Sequence, residues 1–278
     1  MKIGFFYFAT DYSMPVVEVA RALEERGFES LFLPEHTHIP VSRRSPWPGG
    51  AELPRQYSHT LDPFVALAAA AAVTTTLRLG TGICLLTERD PIVTAKEVAT
   101  LDLVSNGRFE FGIGAGWNAE EMENHGTKFE TRFRIMVDRA KAMQAIWTQD
   151  EAAYAGEFTR FEPIWSWPKP VQKPHPPILL GGETKYTLRR VMEFCDGWFP
   201  RGRSFADPQA EMSRLRSFAD EAGRDIKTVS TTLFGATPER AYLDKCRAAG
   251  IDRALLALPP EGRDTVLPVI DKYAIFLE

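Results

Sequence analysis

The sequence predicts an α/β fold, a single (β/α)8 barrel of the TIM type in which residues 1–278 form one domain. Three observations predict it. Eight short, near-continuous apolar runs recur along the chain, as parallel strands do when both their faces are covered. Amphipathic segments separate these runs. The helix starts also repeat one signature, an N-capping residue followed by proline, at Asp62-Pro63, Asp90-Pro91, Asp207-Pro208 and Thr237-Pro238. The capping side chain accepts from free helical N–H groups, and the proline sits where no N–H is needed. An open doubly wound sheet is the rival arrangement. A chain of 278 residues that is 44% hydrophobic can bury a barrel-sized core.

Taken in order, the strands are expected at Ile3–Phe8, Ser30–Leu33, Arg78–Leu85, Arg108–Gly114, Pro177–Leu180, Gly197–Phe199, Val229–Phe234 and Arg253–Leu258. After the first, VVEVARALEERGF carries apolar residues at Val16, Val19, Ala20 and Leu23 and stops at Gly27, which reads as a helix. PERAYLDKCRAAG is another, closed by Gly250, a residue suited to the left-handed cap. Two connections exceed a plain βα loop. Thr37–Thr60 follows strand two, so in a barrel it overhangs the C-terminal mouth as a lid or substrate loop, unless it is a plain surface loop. Glu151–Pro176, before strand five, reads as a small hairpin plus an extended arm.

Composition excludes several classes. The net charge is −4 and no basic run occurs, so a nucleic-acid footprint is missing. The N-terminal apolar run is too short for a signal peptide. Phe64–Val73 is far short of the roughly 20 residues a membrane span needs. Cys84, Cys195 and Cys246 are scattered with no C-x-x-C, which suits a reducing compartment. The expectation is a soluble cytoplasmic protein acting on a small molecule.

Two glycine motifs stand at strand ends. FEFGIGAGWN spaces Gly112, Gly114 and Gly116 as G-x-G-x-G, with Trp117 where a dinucleotide fingerprint needs its last glycine. What remains is a strand end where a flat ligand can come close, or glycines serving tight barrel packing. In PILLGGETKYTLRRV, Gly181 and Gly182 precede Glu183, Thr184 and a helix. Free N–H groups there suit a phosphate, with the Glu183 side chain facing away; a plain βα turn is the alternative. No nucleophile elbow, P-loop or H-E-x-x-H occurs.

LFLPEHTHIP places Glu35, His36 and His38 just past strand two. Metal binding needs further ligands at later strand ends, and His59, His125 and His175 do not lie there. A structural pair is possible. The leading reading is an acid–base pair, Glu35 and His36, facing the barrel mouth.

Over essentially its full length the chain resembles the bacterial luciferase-like flavin and deazaflavin oxidoreductases. The strongest stretch is Leu79–Glu121, LGTGICLLTERDPIVTAKEVATLDLVSNGRFEFGIGAGWNAEE; LPEH, IWTQDEAAYAGEF, PKPVQKPHPPILLGG and DGW add to it. The PEHTHIP…SPWPGG run looks most like the branch that uses coenzyme F420, a deazaflavin carrying hydride at C5. The resemblance implies a cofactor at the C-terminal mouth, with a non-proline cis peptide at Gly82-Ile83 backing its ring. Gly114, Ala115, Gly116 and Trp117 would flank the cofactor, and Gly181, Gly182, Glu183 and Thr184 would take its phosphate. His36 would sit near C5, with Glu35 orienting it or touching the cofactor. Trp117 stands near where sugar-phosphate-oxidising relatives carry a carboxylate, which argues against such a substrate. Trp47, Trp117, Trp165 and Trp167 are candidates for lining a substrate space, and Arg43 and Arg44 for meeting the cofactor's acidic tail. The expected activity is hydride transfer between F420 and a small organic substrate. The alternatives are an FMN-dependent monooxygenase using reduced flavin and O2, and a non-catalytic flavin- or deazaflavin-binding protein. The resemblance also allows a homodimer.

Overall fold

The computed structural model describes residues 1–50 and 52–277. In chain order the elements are β1 (Lys2–Tyr7), α1 (Val16–Glu25), β2 (Ser30–Leu33), α2 (Pro63–Ala72), β3 (Arg78–Thr81), β4 (Cys84–Leu85), α3 (Pro91–Val104), β5 (Phe109–Gly114), α4 (Ala119–Asn124) and α5 (Arg132–Thr148). Then come β6 (Ala152–Ala155), β7 (Arg160–Ile164), β8 (Ile178–Gly181), α6 (Lys185–Phe194), β9 (Gly197–Phe199), α7 (Pro208–Ala222), β10 (Ser230–Phe234), α8 (Arg240–Ala249), β11 (Arg253–Leu258) and α9 (Arg263–Tyr273).

Eight strands pair in parallel around a closed ring, β1–β2–β3–β5–β8–β9–β10–β11 and back to β1. This is the expected barrel, with α/β alternation throughout. The third strand, expected as one run, is interrupted at Gly82-Ile83, whose peptide bond is cis. It resumes as β4, which pairs with β5. The expected hairpin is β6 and β7, an antiparallel pair.

Strand side chains alternate between two environments. Phe5, Leu31, Leu79, Phe109, Phe111 and Ile178 pack outward against the helices. Phe32, Leu179, Phe199 and Leu255 fill the barrel interior, with Phe6, Ile83 and Phe234 half-buried above them. The N-terminal end is closed by charge. Arg253 donates to Glu110 at 2.7 Å twice and to Glu29 at 2.6 and 2.8 Å. Arg78 also pairs with Glu110. Burial opposes the Glu110 charge, but the two arginines win and lower its pKa to about 2. With the interior filled and this end plugged, the C-terminal mouth is the face left for a ligand.

Three helix starts form as the sequence predicts. Asp62 accepts from Val65 N, Asp90 from Ile92 N and Val93 N, and Asp207 from Ala210 N, each with proline following. Thr237-Pro238 does not start a helix. The Glu239 amide closes a tight turn on the Thr237 carbonyl at 2.9 Å, which delays α8 to Arg240. No helix among the described residues is long and apolar enough to cross a membrane.

A candidate active site at the barrel mouth

The loop from Thr37 to Thr60 crosses the mouth. In the ring of eight, β2 and β9 lie opposite each other. Trp47 and Pro48 come from the loop after β2, yet Arg203, just past β9, donates to the Pro48 carbonyl at 3.4 Å. The loop is tied down by α4. Glu120 accepts from the Ser42 hydroxyl (3.0 Å) and from the amides of Arg44 (2.5 Å) and Ser45 (2.9 Å). Burial opposes the Glu120 charge, but these donors outweigh it and lower its pKa to about 2. At the far end, Thr60 donates to the His36 carbonyl and the Leu61 amide to the Ala9 carbonyl.

His36 is 9% exposed and lies under this loop. Its ring packs against Tyr57 at 5.2 Å and edge-on to Trp117 at 5.8 Å. Tyr57 also meets Trp47 at 5.7 Å. The Nδ1 of His36 lies 2.7 Å from Glu121 Oε2, and the other Glu121 oxygen accepts from the Thr37 amide. An acceptor-only carboxylate at Nδ1 assigns the proton to that nitrogen and leaves Nε2 as the working atom. Nε2 makes no hydrogen bond to protein among the described residues and is not sealed from solvent.

The orientation of His36 therefore falls to Glu121, and the expectation that Glu35 performs it is corrected. Glu35 turns the other way. It accepts from the Leu85 amide and from Arg89 Nε, both at 2.6 Å. Arg89 in turn reaches Asp62 at 2.6 Å and Glu97 at 2.9 Å. This network bolts the end of β2 to β4, α2 and α3.

Glu88 is a further buried acid; no donor among the described residues reaches either of its oxygens, and when protonated it can donate to Glu121. Burial, then the nearby charges of Glu121 and Glu35, raise its pKa to about 9, so it carries a proton at neutral pH.

The glycines shape the rest of the mouth. A Cβ on Gly114 would stand 1.9 Å from the tip of the Ile83 side chain, so any other residue there forces Ile83 to shift at the cis bulge. Gly116 has φ +75° and a Cβ there would meet Met122 at 2.6 Å; Ala115 beside it is buried. Across the ring, Gly181 and Gly182 are half-buried, and Gly182 has φ +114°. Thr184 is exposed and caps α6 by accepting from Thr187 N at 3.1 Å. Glu183 is turned onto Arg201, which donates from Nε at 2.8 Å and from a terminal nitrogen at 2.6 Å. Burial opposes its charge, yet Arg201 keeps its pKa below the ordinary range. The acid is thus neutralised beside the glycine corner. Trp165 and Trp167 are exposed on the hairpin arm and take no part in the mouth. Among the described residues no group of three His, Cys, Asp or Glu is placed to hold a metal.

The sequence pointed to Glu35, His36, the glycine motifs, Trp47 and Trp117. It missed Glu121, Glu88 and Tyr57. NAEE and TER were visible as acidic pairs or charge next to helix starts, but nothing local tied them to His36.

The luciferase-like monooxygenase family matches residues 8–249. An uncharacterized protein of Mycobacterium tuberculosis is 38% identical over 278 residues, which cover 99% of this chain and 98% of the relative. An FMNH2-dependent dimethylsulfone monooxygenase of Pseudomonas putida is 31% identical over 140 residues, 49% of this chain and 39% of its own. An F420-dependent secondary alcohol dehydrogenase, solved with an F420–acetone adduct, has the same fold, with a TM-score of 0.77 at 18% identity over 99% of this chain and 97% of its own.

Proposed function

The chain belongs to the luciferase-like monooxygenase family, and on that premise we propose that it is an F420-dependent oxidoreductase that transfers hydride to or from a small organic substrate. The observation that carries this is His36, held by Glu121 at Nδ1 and offering Nε2 to an aromatic-walled mouth. The resemblance of the Pro34–Gly50 run to the F420 branch supports the deazaflavin over a flavin.

The residues present fit such a group. Phe6, Ile83 and Phe234 make a half-buried floor, and Gly82, Ile83, Gly114, Ala115, Gly116 and Trp117 border it. Gly181, Gly182 and Thr184 offer an exposed helix start to a phosphate, with the Glu183 charge neutralised by Arg201. When bound, the deazaflavin supplies a two-electron hydride carrier. His36 holds or moves a proton at Nε2 beside the reacting centre. Glu121 fixes the tautomer and ring plane that this requires. Glu35 acts at one remove, by anchoring the segment that carries His36. Tyr57, Trp47 and Trp117 keep water from the reacting atoms.

The relative that uses FMNH2 favours one second reading, a flavin-dependent monooxygenase on the same frame. Fluorescence titration of the purified protein with oxidised F420, run beside FMN, tests both. Micromolar or tighter F420 binding with weak FMN binding supports the proposal, and the reverse preference replaces it with the monooxygenase. Tight binding with no turnover over a broad substrate panel indicates a cofactor-binding protein instead.

A further inference from the structure

Two adjacent arginines in the loop over the mouth meet different environments. Arg44 turns outward onto Glu123 at 2.6 Å, with 64% of its side chain exposed. Arg43 makes no ion pair and no side-chain hydrogen bond among the described residues, and its Nη1 is buried without a partner. A buried donor with no acceptor is rare in folded proteins and marks a place where something outside the chain completes the bonding. The Arg43 guanidinium carbon lies 5.9 Å from the centre of the Trp117 ring, and Trp117 is the ring packed edge-on to His36. The arginine is not there by drift. Its φ of 51° is left-handed, a conformation unfavourable for a long side chain. The grip of Glu120 on Ser42, Arg44 and Ser45 holds the loop on both sides of it.

We infer that Arg43 and Trp117 form the recognition site for a substrate carboxylate, so that the molecule acted on beside His36 is a small organic acid with an apolar or aromatic body. This rests on the function proposed above. A guanidinium offers two parallel N–H groups to a carboxylate, and the aromatic walls of Tyr57, Trp47 and Trp117 suit the rest of such a molecule. A cofactor's acidic tail presents the same carboxylate chemistry. Position favours the substrate: Arg43 stands over Trp117, the ring that also meets His36, between the β2 and β5 loops. The anion corner at Gly181–Thr184 follows β8, three strands round the ring from β2.

Calorimetric titration of the F420-saturated protein with benzoate, and with benzamide as its neutral counterpart, tests this. Benzoate is expected to bind more tightly than benzamide. Arg43→Gln is expected to weaken benzoate about tenfold, the scale of one lost charge-assisted hydrogen bond, and to leave benzamide and F420 affinities unchanged. Arg44→Gln is the control and is expected to change neither. The inference is overturned if the wild type does not distinguish the two probes, including by binding neither, or if Arg43→Gln keeps the distinction. It is also overturned if Arg43→Gln instead weakens F420, which would make Arg43 a contact to the cofactor tail. Failure of the wild type to bind F420 or FMN sinks the functional reading, and that result is read before any probe is added.

Discussion

Replacing Glu88 with glutamine should stabilise the protein, and by an amount that grows with pH. Glu88 is buried beside two other acids with no donor for either oxygen, and its pKa is raised from 4.5 to about 9. A carboxyl with a raised folded pKa destabilises nothing below pH 4.5, where it is protonated in both states. As pH rises from 4.5 towards 9 the unfolded chain releases the proton and the folded chain keeps it, so stability falls over that window. Each unit of difference is worth about 1.36 kcal/mol, and pH 7 lies roughly 2.5 units above the unfolded value, so the penalty there is about 3 kcal/mol. Glutamine has nearly the same shape, keeps a donor and carries no proton to lose. Glu88→Gln should therefore be nearly neutral at pH 5 and more stable by about 3 kcal/mol at pH 7. For a chain of this size that corresponds to a Tm higher by roughly 5–10 °C. Urea unfolding of both proteins at pH 5, 6, 7 and 8 measures it. A stability gap that stays flat with pH, or that favours the wild type at pH 8, would refute the protonated state of Glu88.

His36→Ala should lower turnover by about 10²- to 10⁴-fold, the usual worth of a general acid or base, with cofactor affinity nearly unchanged; steady-state rates and a binding titration read the two separately. Glu121→Gln should leave the fold in place but shift the pH profile of kcat, because the group that sets the His36 tautomer loses its charge; an unchanged profile counts against the pairing. Arg89→Met should destabilise by about 3–5 kcal/mol, since it leaves Glu35 buried without its counter-charge, and urea unfolding at pH 7 checks it. Gly112→Ala should cost more than about 3 kcal/mol or abolish soluble expression, because its Cβ would stand 2.0 Å from the Thr81 carbonyl oxygen, a backbone atom that cannot step aside.

Much of the fold was legible because its signals are local. A parallel strand covered on both sides is an unbroken apolar run, and such a run can be seen without knowing its neighbours. The Asp-Pro helix starts at residues 62, 90 and 207 formed because one side chain and the next two or three amides suffice to make a cap. Thr237-Pro238 failed because a competing local turn takes up the Glu239 amide on the Thr237 carbonyl, an amide that a cap at Thr237 would need.

The site was legible only in part, and the error over Glu35 shows why. Residues next to each other in an extended segment point to opposite sides. Glu35 and His36 stand just beyond β2, so a side chain of one facing the mouth sends the other towards the surrounding helices. His36 faces the mouth; Glu35 meets the Leu85 amide and Arg89 behind the strand. The carboxylate that holds His36 must then come from a different element. It is Glu121, 85 positions later in the chain on α4. Reading a catalytic dyad from two neighbouring letters at a strand end therefore fails for a geometric reason. In a barrel of this kind the partner is better sought in the loops after the next strands round the ring. Arg43 and Arg44 also face different ways, onto Trp117 and Glu123, but there the left-handed backbone of Arg43 turns them apart and not strand alternation.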